Sequence, residues 1–203
     1  MITYLVNHQN LSAPKKYKIK HTILKVSLAC LILIPMSDAL SAVAQFKPDD
    51  DQRFKAAFIY NFAKFTNWPE NAFNENDPFI LCTIGIKNSS NNLDRLSGKT
   101  IKDRKLSIVI VKAGESISHC HMLYIDKSAK VKLKQLLKLT FKKPILTVSD
   151  MPSFSKNGGM IQFYRKEGKT HLIINLDTTR ESNLKISSRL LILAKVISNN
   201  SKP

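Results

Sequence analysis

A basic segment followed by a short apolar run opens the chain, and this export signal decides where the rest must fold. Five lysines lie between residues 15 and 25, and the twelve residues 26–37 carry no charge. Ala42 and Ala44 put small residues where a signal peptidase reads them. An uncleaved anchor is disfavoured, because a bilayer span takes roughly 20 apolar residues. The sequence predicts a signal peptide over residues 1–44, cleaved near Ala44, and a mature domain over residues 45–203 in the periplasm.

The mature domain keeps a strongly positive charge. The whole chain carries a formal charge of +17, and removal of five lysines and one aspartate with the leader leaves about +13 on 159 residues. An exported protein does not share a compartment with the chromosome, so we expect no nucleic acid as partner. The expected anionic counterparts are membrane head groups, outer-membrane polysaccharide phosphates or an acidic protein.

Two cysteines, Cys82 and Cys120, remain after the leader is removed. The third, Cys30, lies in the leader; most of the apolar run follows it rather than precedes it, which makes lipidation there the weaker alternative to cleavage. In an oxidising compartment a remaining pair suggests one disulfide bond. Two separately buried thiols are the alternative, because the sequence does not show whether the Cα atoms lie close enough for a bridge.

Strand-like and helical segments alternate along the mature chain. We predict a helix from Asp49 to about Phe65 and a closing helix whose core face holds Ile186, Leu190, Leu193, Ala194 and Ile197. The strand-like runs are 79–84, 106–111, 121–125 and 145–149, the helical ones 89–96 and 127–141, and residues 159–164 and 171–175 form a hairpin. These elements predict a single three-layer α/β domain, a mixed sheet flanked by helices, ending in the hairpin and the closing helix.

The first predicted helix is apolar on two faces. Phe54, Phe58, Phe62 and Phe65 share one of them, and Ile59 and Tyr60 lie on the other. A helix of this kind is usually covered on both sides. Burial between a sheet and another helix is one explanation, and a subunit or partner interface is the other.

No local motif for catalysis or phosphate binding occurs, so we expect that the protein is not an enzyme. The alternative is an active site whose residues come together only on folding, with His121 and Asp150 as the residues to test. His119 and His121 would share one face of a strand, but no further ligand stands nearby in sequence, and we expect no metal or other cofactor. A helical stripe of lysines is the remaining feature: Lys127, Lys130, Lys134, Lys138 and Lys142. It predicts either a solvated face or a patch for an acidic partner or anionic surface.

Five ordered segments of the mature chain resemble the YfiR family. They are Lys55–Phe65 with Trp68 and Pro69, Cys120–Tyr124, Leu146–Asp150, Gly158–Ile161 and Ser187–Ala194. The resemblance runs from about residue 52 to residue 197. It implies a periplasmic α/β protein that binds other proteins and carries out no chemistry. It also implies a disulfide bond between Cys82 and Cys120, while a second, more C-terminal cysteine pair of the family is missing here.

The resemblance implies a function as well. A YfiR-like protein restrains a membrane-bound diguanylate cyclase by holding its periplasmic sensor domain, and an outer-membrane lipoprotein acts as antagonist; the output is less cyclic di-GMP and less biofilm. We expect Tyr60, Phe62, Phe65 and Trp68 to form the partner or homodimer interface, since aromatic residues are enriched at interface hot spots. Burial in the core is the alternative for the phenylalanines. A periplasmic small-ligand-binding protein is the alternative function, because open α/β sheets offer crevices at their strand ends.

Overall fold

The fold is taken from a computed structural model that describes residues 48–86, 93–112 and 114–198. These residues belong to one compact unit that begins at Gln45. The predicted signal peptide, residues 1–44, lies outside the described residues. No helix in the described ranges is both long and apolar enough to cross a membrane.

Helix α1, Pro48–Lys64, lies against one face of the main sheet. Its buried residues are Ala56, Ile59, Phe62 and Ala63, which recur at three- and four-residue spacing and so fall on one side. Phe54, by contrast, is 45% exposed. The two apolar faces expected from the sequence are therefore one broad buried face and an exposed flank.

The main sheet has eight strands. They are β2 (Phe79–Ile84), β3 (Thr100–Ile101), β4 (Arg104–Ile110), β5 (Met122–Ile125), β6 (Leu146–Ser149), β7 (Ile161–Lys166), β8 (Lys169–Asn175) and β10 (Ala194–Ile197). Their order is β10-β8-β7-β6-β5-β2-β4-β3. A small second sheet pairs β1 (Thr66–Asn67) with β9 (Lys185–Ile186).

Strands β4, β2, β5, β6 and β7 run parallel to one another. The hairpin β7–β8 is antiparallel, and β10 returns parallel to β8 as an edge strand. Strand β2 is central, with Leu81 opposite both Ile108 and Met122. Because the central strands are covered on both faces, they read as continuous apolar runs.

Helix α2, Leu133–Thr140, covers the other face of the sheet and follows a 3-10 segment, Lys127–Lys132. It packs Leu133 and Leu136 into a second core cluster with residues of β2 and β5. Two short helices, α3 (Leu176–Glu181) and α4 (Ser188–Leu191), follow the hairpin. The domain therefore has three layers, with helices on both faces of a mixed sheet.

The fold class is confirmed, and four predicted strands and the hairpin lie within one to two residues of their observed bounds. The closing helix is shorter than predicted: residues 188–191 are helical, whereas Ala194–Ile197 form β10. Leu193, which was expected on the core face of that helix, is 72% exposed, and its neighbour Ile192 is 82% exposed. The predicted helix 127–141 begins as a 3-10 segment, and of the one at 89–96 only a 3-10 turn, Leu93–Leu96, falls within the described residues.

Candidate partner-binding surface

The far half of the sheet, formed by β7, β8 and β10, has one face that α2 does not cover. Side chains alternate along β7, so Ile161 and Phe163 enter the core under α1 while Gln162 and Tyr164 point to the opposite face. With Ile173 of β8, these two line an open cavity of about 330 Å³. Its other lining residues are Asp150, Pro152, Ser153, Lys156, Lys195 and Ile197. We call this face the open sheet face.

Exposed apolar side chains lie in and next to the edge strand β10. Lys195 and Ile197 of this strand point to the cavity, whereas Val196 points to the α1 side of the sheet, beside Ile174. Ile192, Leu193 and Val196 are 82%, 72% and 44% exposed. They lie in or next to β10, the last strand of the sheet, whose outer backbone groups have no neighbouring strand in the described residues. An edge strand that is flanked by exposed apolar side chains is a common site for protein association.

Buried polar groups hold the floor of the cavity in place. Ser155 donates hydrogen bonds to Gln162 Oε1 from its backbone nitrogen (3.2 Å) and its hydroxyl (3.1 Å). The Asn175 amide donates to the carbonyl of Ser155 at 3.0 Å. All three side chains are buried, so this network fixes the loop between β6 and β7 against the hairpin.

An ion pair ties the same loop to helix α1. Lys55 Nζ lies 2.9 Å from Asp150 Oδ2, and both side chains are less than 15% exposed. The hydroxyl of Tyr124 donates to Asp150 Oδ1 at 3.2 Å. Asp150, proposed from the sequence as a residue to test for catalysis, thus has a structural set of contacts.

The exit of α1 is held by an aromatic cluster around Trp68. Its ring meets Phe79 edge-on at a centroid distance of 5.0 Å and Phe73 at 6.3 Å. Its indole nitrogen donates to the carbonyl of His121 at 3.1 Å. Trp68 is half-buried, and a groove of about 580 Å³ runs beside it towards Arg180 and Lys185.

His121 is the polar centre of this cluster. The backbone N–H of Ile80 donates to Nδ1 at 3.0 Å, and Nε2 lies 3.1 Å from the carbonyl of Ala72, so the neutral ring carries its proton on Nε2. The ring stacks on Phe73 at 4.2 Å. Burial lowers the pKa of His121, and the hydrogen bond to Ala72 opposes this only in part. Both nitrogens are engaged, so His121 does not join His119 as a ligand pair.

The other predicted interface aromatics differ in exposure. Phe62 is fully buried and lies 5.9 Å from Phe163 of β7, the alternative that the sequence left open for the phenylalanines. Tyr60 is half-buried, and its hydroxyl donates to the carbonyl of Thr100 at 3.0 Å. Phe65 is half-buried as well. Of the four, only Tyr60, Phe65 and Trp68 present surface to a partner.

Cys82 and Cys120 form a disulfide bond, and their Cα atoms are 5.7 Å apart. The bond joins β2 to the segment that leads into β5. His119 Nε2 lies 3.7 Å from Cys82 Sγ. Within the described residues these three side chains are the only group of three or more metal-binding types with ligand atoms within 4.8 Å of one another. Both sulfurs are in the disulfide, so the oxidised protein offers a single nitrogen there.

The five lysines of the predicted stripe are all exposed on the outer side of the 3-10 segment, α2 and its exit. None of them forms an ion pair with another described residue. They lie on the face of the domain opposite to α1.

This arrangement defines an α/β domain with a buried polar framework and a sheet face that helix α2 leaves open. Residues 52–195 match the family model described as YfiR/HmsC-like, and the chain belongs to this family. No curated protein sequence matches the chain. The family comprises regulatory, non-catalytic periplasmic proteins that act on diguanylate cyclases.

Sequence reasoning missed the open sheet face. Assigning residues 186–197 to one helix placed Leu193 and Ile197 in a core, whereas the strand β10 turns Ile197 towards the cavity. Only the β-branched residues Val196 and Ile197 signalled a strand, and two residues are too short a signal.

Proposed function

We propose that this protein inhibits a membrane-bound diguanylate cyclase by binding the periplasmic sensor domain of that enzyme. The open sheet face of a YfiR/HmsC-like domain carries the proposal: its cavity is filled by no element of the described chain, and Ile192 and Leu193 are exposed next to its edge strand. The expected output is a lower level of cyclic di-GMP and less biofilm. The protein performs no reaction itself in this scheme.

The mechanism requires a difference in affinity for two conformations of the target. A shift from 1:99 to 99:1 takes about 5.5 kcal/mol. At about 25 cal/mol per Å² this corresponds to about 220 Å² of apolar surface that is buried against one conformation only. Two or three fully buried aliphatic side chains supply that amount, and Ile192 and Leu193 are exposed next to β10.

The test is capture of the sensor domain by the exported protein. Leu193→Asp places a charge at an exposed position next to β10, so the variant is expected to fold and to lose the sensor domain. Ile110→Asp is the matched control, because Ile110 is 50% exposed at the other half of the sheet. Cells that carry only the Leu193→Asp variant are expected to raise cyclic di-GMP to the level of a deletion strain. Equal loss of capture in the Ile110→Asp control would contradict this placement.

An outer-membrane lipoprotein is proposed as the antagonist, and it would relieve inhibition most directly by competing for the same face. A competition experiment checks this: the lipoprotein is expected to displace the sensor domain from the wild-type protein. A ternary complex of all three proteins would exclude competition.

We also propose a homodimer through the exit of α1, where Tyr60, Phe65 and Trp68 are half-buried. Sedimentation equilibrium of the wild type and of the Tyr60→Ala and Trp68→Ala variants tests it, with thermal unfolding as a check that each variant folds. A folded variant that dimerises like the wild type would contradict the interface.

A crevice at the carboxyl ends of β2, β4 and β5 favours a second candidate, a periplasmic small-ligand-binding protein. Strand β4 lies on one side of β2 and β5 on the other, so the order of the strands reverses at β2. Open α/β sheets bind ligands at such a switch point. The crevice has about 450 Å³, with Ile84, Ile110, Lys112 and Lys132 among its lining residues. A thermal-shift screen with metabolites separates the candidates, because a bound ligand raises the unfolding temperature while a flat screen leaves the inhibitor proposal in first place.

A further inference from the structure

The outer side of α2 combines a dense positive charge with exposed apolar side chains. Seven lysines lie between residues 127 and 143, and no acidic residue occurs from 127 to 149. All seven side chains are exposed. We call this surface the basic face; its lysines are Lys127, Lys130, Lys132, Lys134, Lys138, Lys142 and Lys143.

The helix is amphipathic, which keeps these side chains on the outside. Leu133, Leu136 and Thr140 are buried against the sheet. Leu137 is partly buried against the same core, whereas Lys134, Lys138 and Leu139 are exposed on the outer side. The basic face is therefore fixed by a packed helix rather than carried on a loop.

Three large apolar side chains lie exposed within the basic face. Val131 is 96% exposed, Phe141 54% and Leu139 42%. Lys142 Nζ lies 5.2 Å from the centre of the Phe141 ring, so an aromatic ring and a cation are presented side by side. A face that only had to be soluble would gain nothing from these three side chains.

The combination distinguishes between anionic partners. A soluble polyanion is bound by charge alone, and a second copy of this basic domain is repelled. Lysines together with exposed aromatic and aliphatic groups on a helix are typical of segments that lie on a lipid surface, where the cations meet head groups and the apolar groups enter the interface. We propose that the basic face docks this protein on an anionic phospholipid membrane.

The experiment uses the protein recovered from the periplasm of expressing cells and vesicles without any partner protein. Vesicles of phosphatidylcholine with about 30% phosphatidylglycerol are compared with pure phosphatidylcholine in a flotation assay. The protein is expected to float with the anionic vesicles only, and binding is expected to weaken as salt is raised, because exposed charges are screened.

Two variants separate the contributions of charge and apolar contact. Lys134→Glu/Lys138→Glu and, independently, the uncharged replacement Phe141→Ser are each expected to weaken vesicle binding at least about tenfold. The double variant Lys166→Glu/Lys169→Glu makes the same change in charge at the exposed turn of the hairpin and serves as the control. All substituted side chains are exposed, and thermal unfolding verifies that each variant folds.

Three outcomes would overturn the proposal. One is failure of the wild type to bind anionic vesicles. Another is equal weakening by the control variant, which would show an effect of net charge without a defined face. The third is unchanged vesicle binding of the Phe141→Ser variant together with equally tight binding of soluble polyphosphate by the wild type, which would assign the basic face to an acidic macromolecule. Since the assay contains no cyclase, its result stands apart from the proposed inhibition.

Discussion

Loss of the disulfide bond between Cys82 and Cys120 is expected to lower the free energy of unfolding by about 4 kcal/mol. The bond joins residues 38 apart, so it closes a long loop in the unfolded chain. In the chain-entropy model, the cross-link lowers the conformational entropy of the unfolded chain. Less entropy is therefore lost on folding, and the folded state is stabilised. Both cysteines are buried in the second core cluster, so replacing them also removes packed atoms.

Urea unfolding of three samples separates these two effects. The oxidised wild type is compared with the reduced wild type, which keeps both sulfur atoms, and with the Cys82→Ala/Cys120→Ala variant, which lacks them. The oxidised and reduced samples are expected to differ by about 4 kcal/mol, and the variant is expected to lose up to about 1 kcal/mol more through the small cavities. The dependence of the unfolding free energy on urea should also increase, because an unfolded chain without the cross-link exposes more surface.

The control is the double alanine variant itself, whose stability should not respond to the reductant. A gap below about 1 kcal/mol between the oxidised and reduced samples, with unchanged urea dependence, would refute the reasoning. It would show that the unfolded chain is already compact around residues 82–120 or that the native bond is strained by an equal amount.

Three further predictions concern the interior. Burial lowers the pKa of His121 below its ordinary value of 6.5, so the unfolded chain takes up the proton at a higher pH than the folded protein. The free energy of unfolding is expected to be at its full value above about pH 6.5 and to fall as the pH drops below it. A His121→Gln variant whose urea midpoint shows the same pH dependence would contradict this. Gly159→Ala is expected to destabilise the domain by about 1–3 kcal/mol, because the new Cβ would lie 2.2 Å from the buried Phe154 ring; thermal unfolding checks it, and Phe154→Leu in the same background should recover part of the loss. Asp150→Asn is expected to cost up to about 3 kcal/mol, because the Lys55 ammonium, which is only partly exposed, loses its carboxylate; no recovery in Lys55→Met/Asp150→Asn would argue against the ion pair as the cause.

The central strands and the first helix could be predicted from the sequence because their signals are local. An apolar run such as residues 79–84 is long enough to fix a buried strand, and its observed bounds are Phe79–Ile84. The hairpin was predictable from a charged turn containing Gly168, whose φ of +73° suits glycine. The pattern on α1 also identified its apolar residues, although it divided one buried face into two.

The chain's last segment shows where local reasoning ends. Residues 190–197 are apolar at almost every position, so their periodicity fits a helix and a buried strand equally well. The decision came from β8, whose open edge offers hydrogen-bond partners from Leu172 to Asn175. With that pairing, Ile197 reaches the cavity while Leu193 stays in solvent, and the candidate binding surface is created.

By itself the sequence determined the fold class and the lysine stripe, because each depends on residue types at short spacing. Only the tertiary structure decided which of the aromatic side chains are available: Phe62 of α1 is buried against the sheet, while Trp68 is only half-buried. Likewise it gave His121 its two hydrogen bonds, to Ile80 and Ala72, from residues about 40 and 50 positions away in the chain. The physical reason is that exposure and hydrogen bonding are set by neighbours brought together on folding, which the order of residues along the chain does not specify.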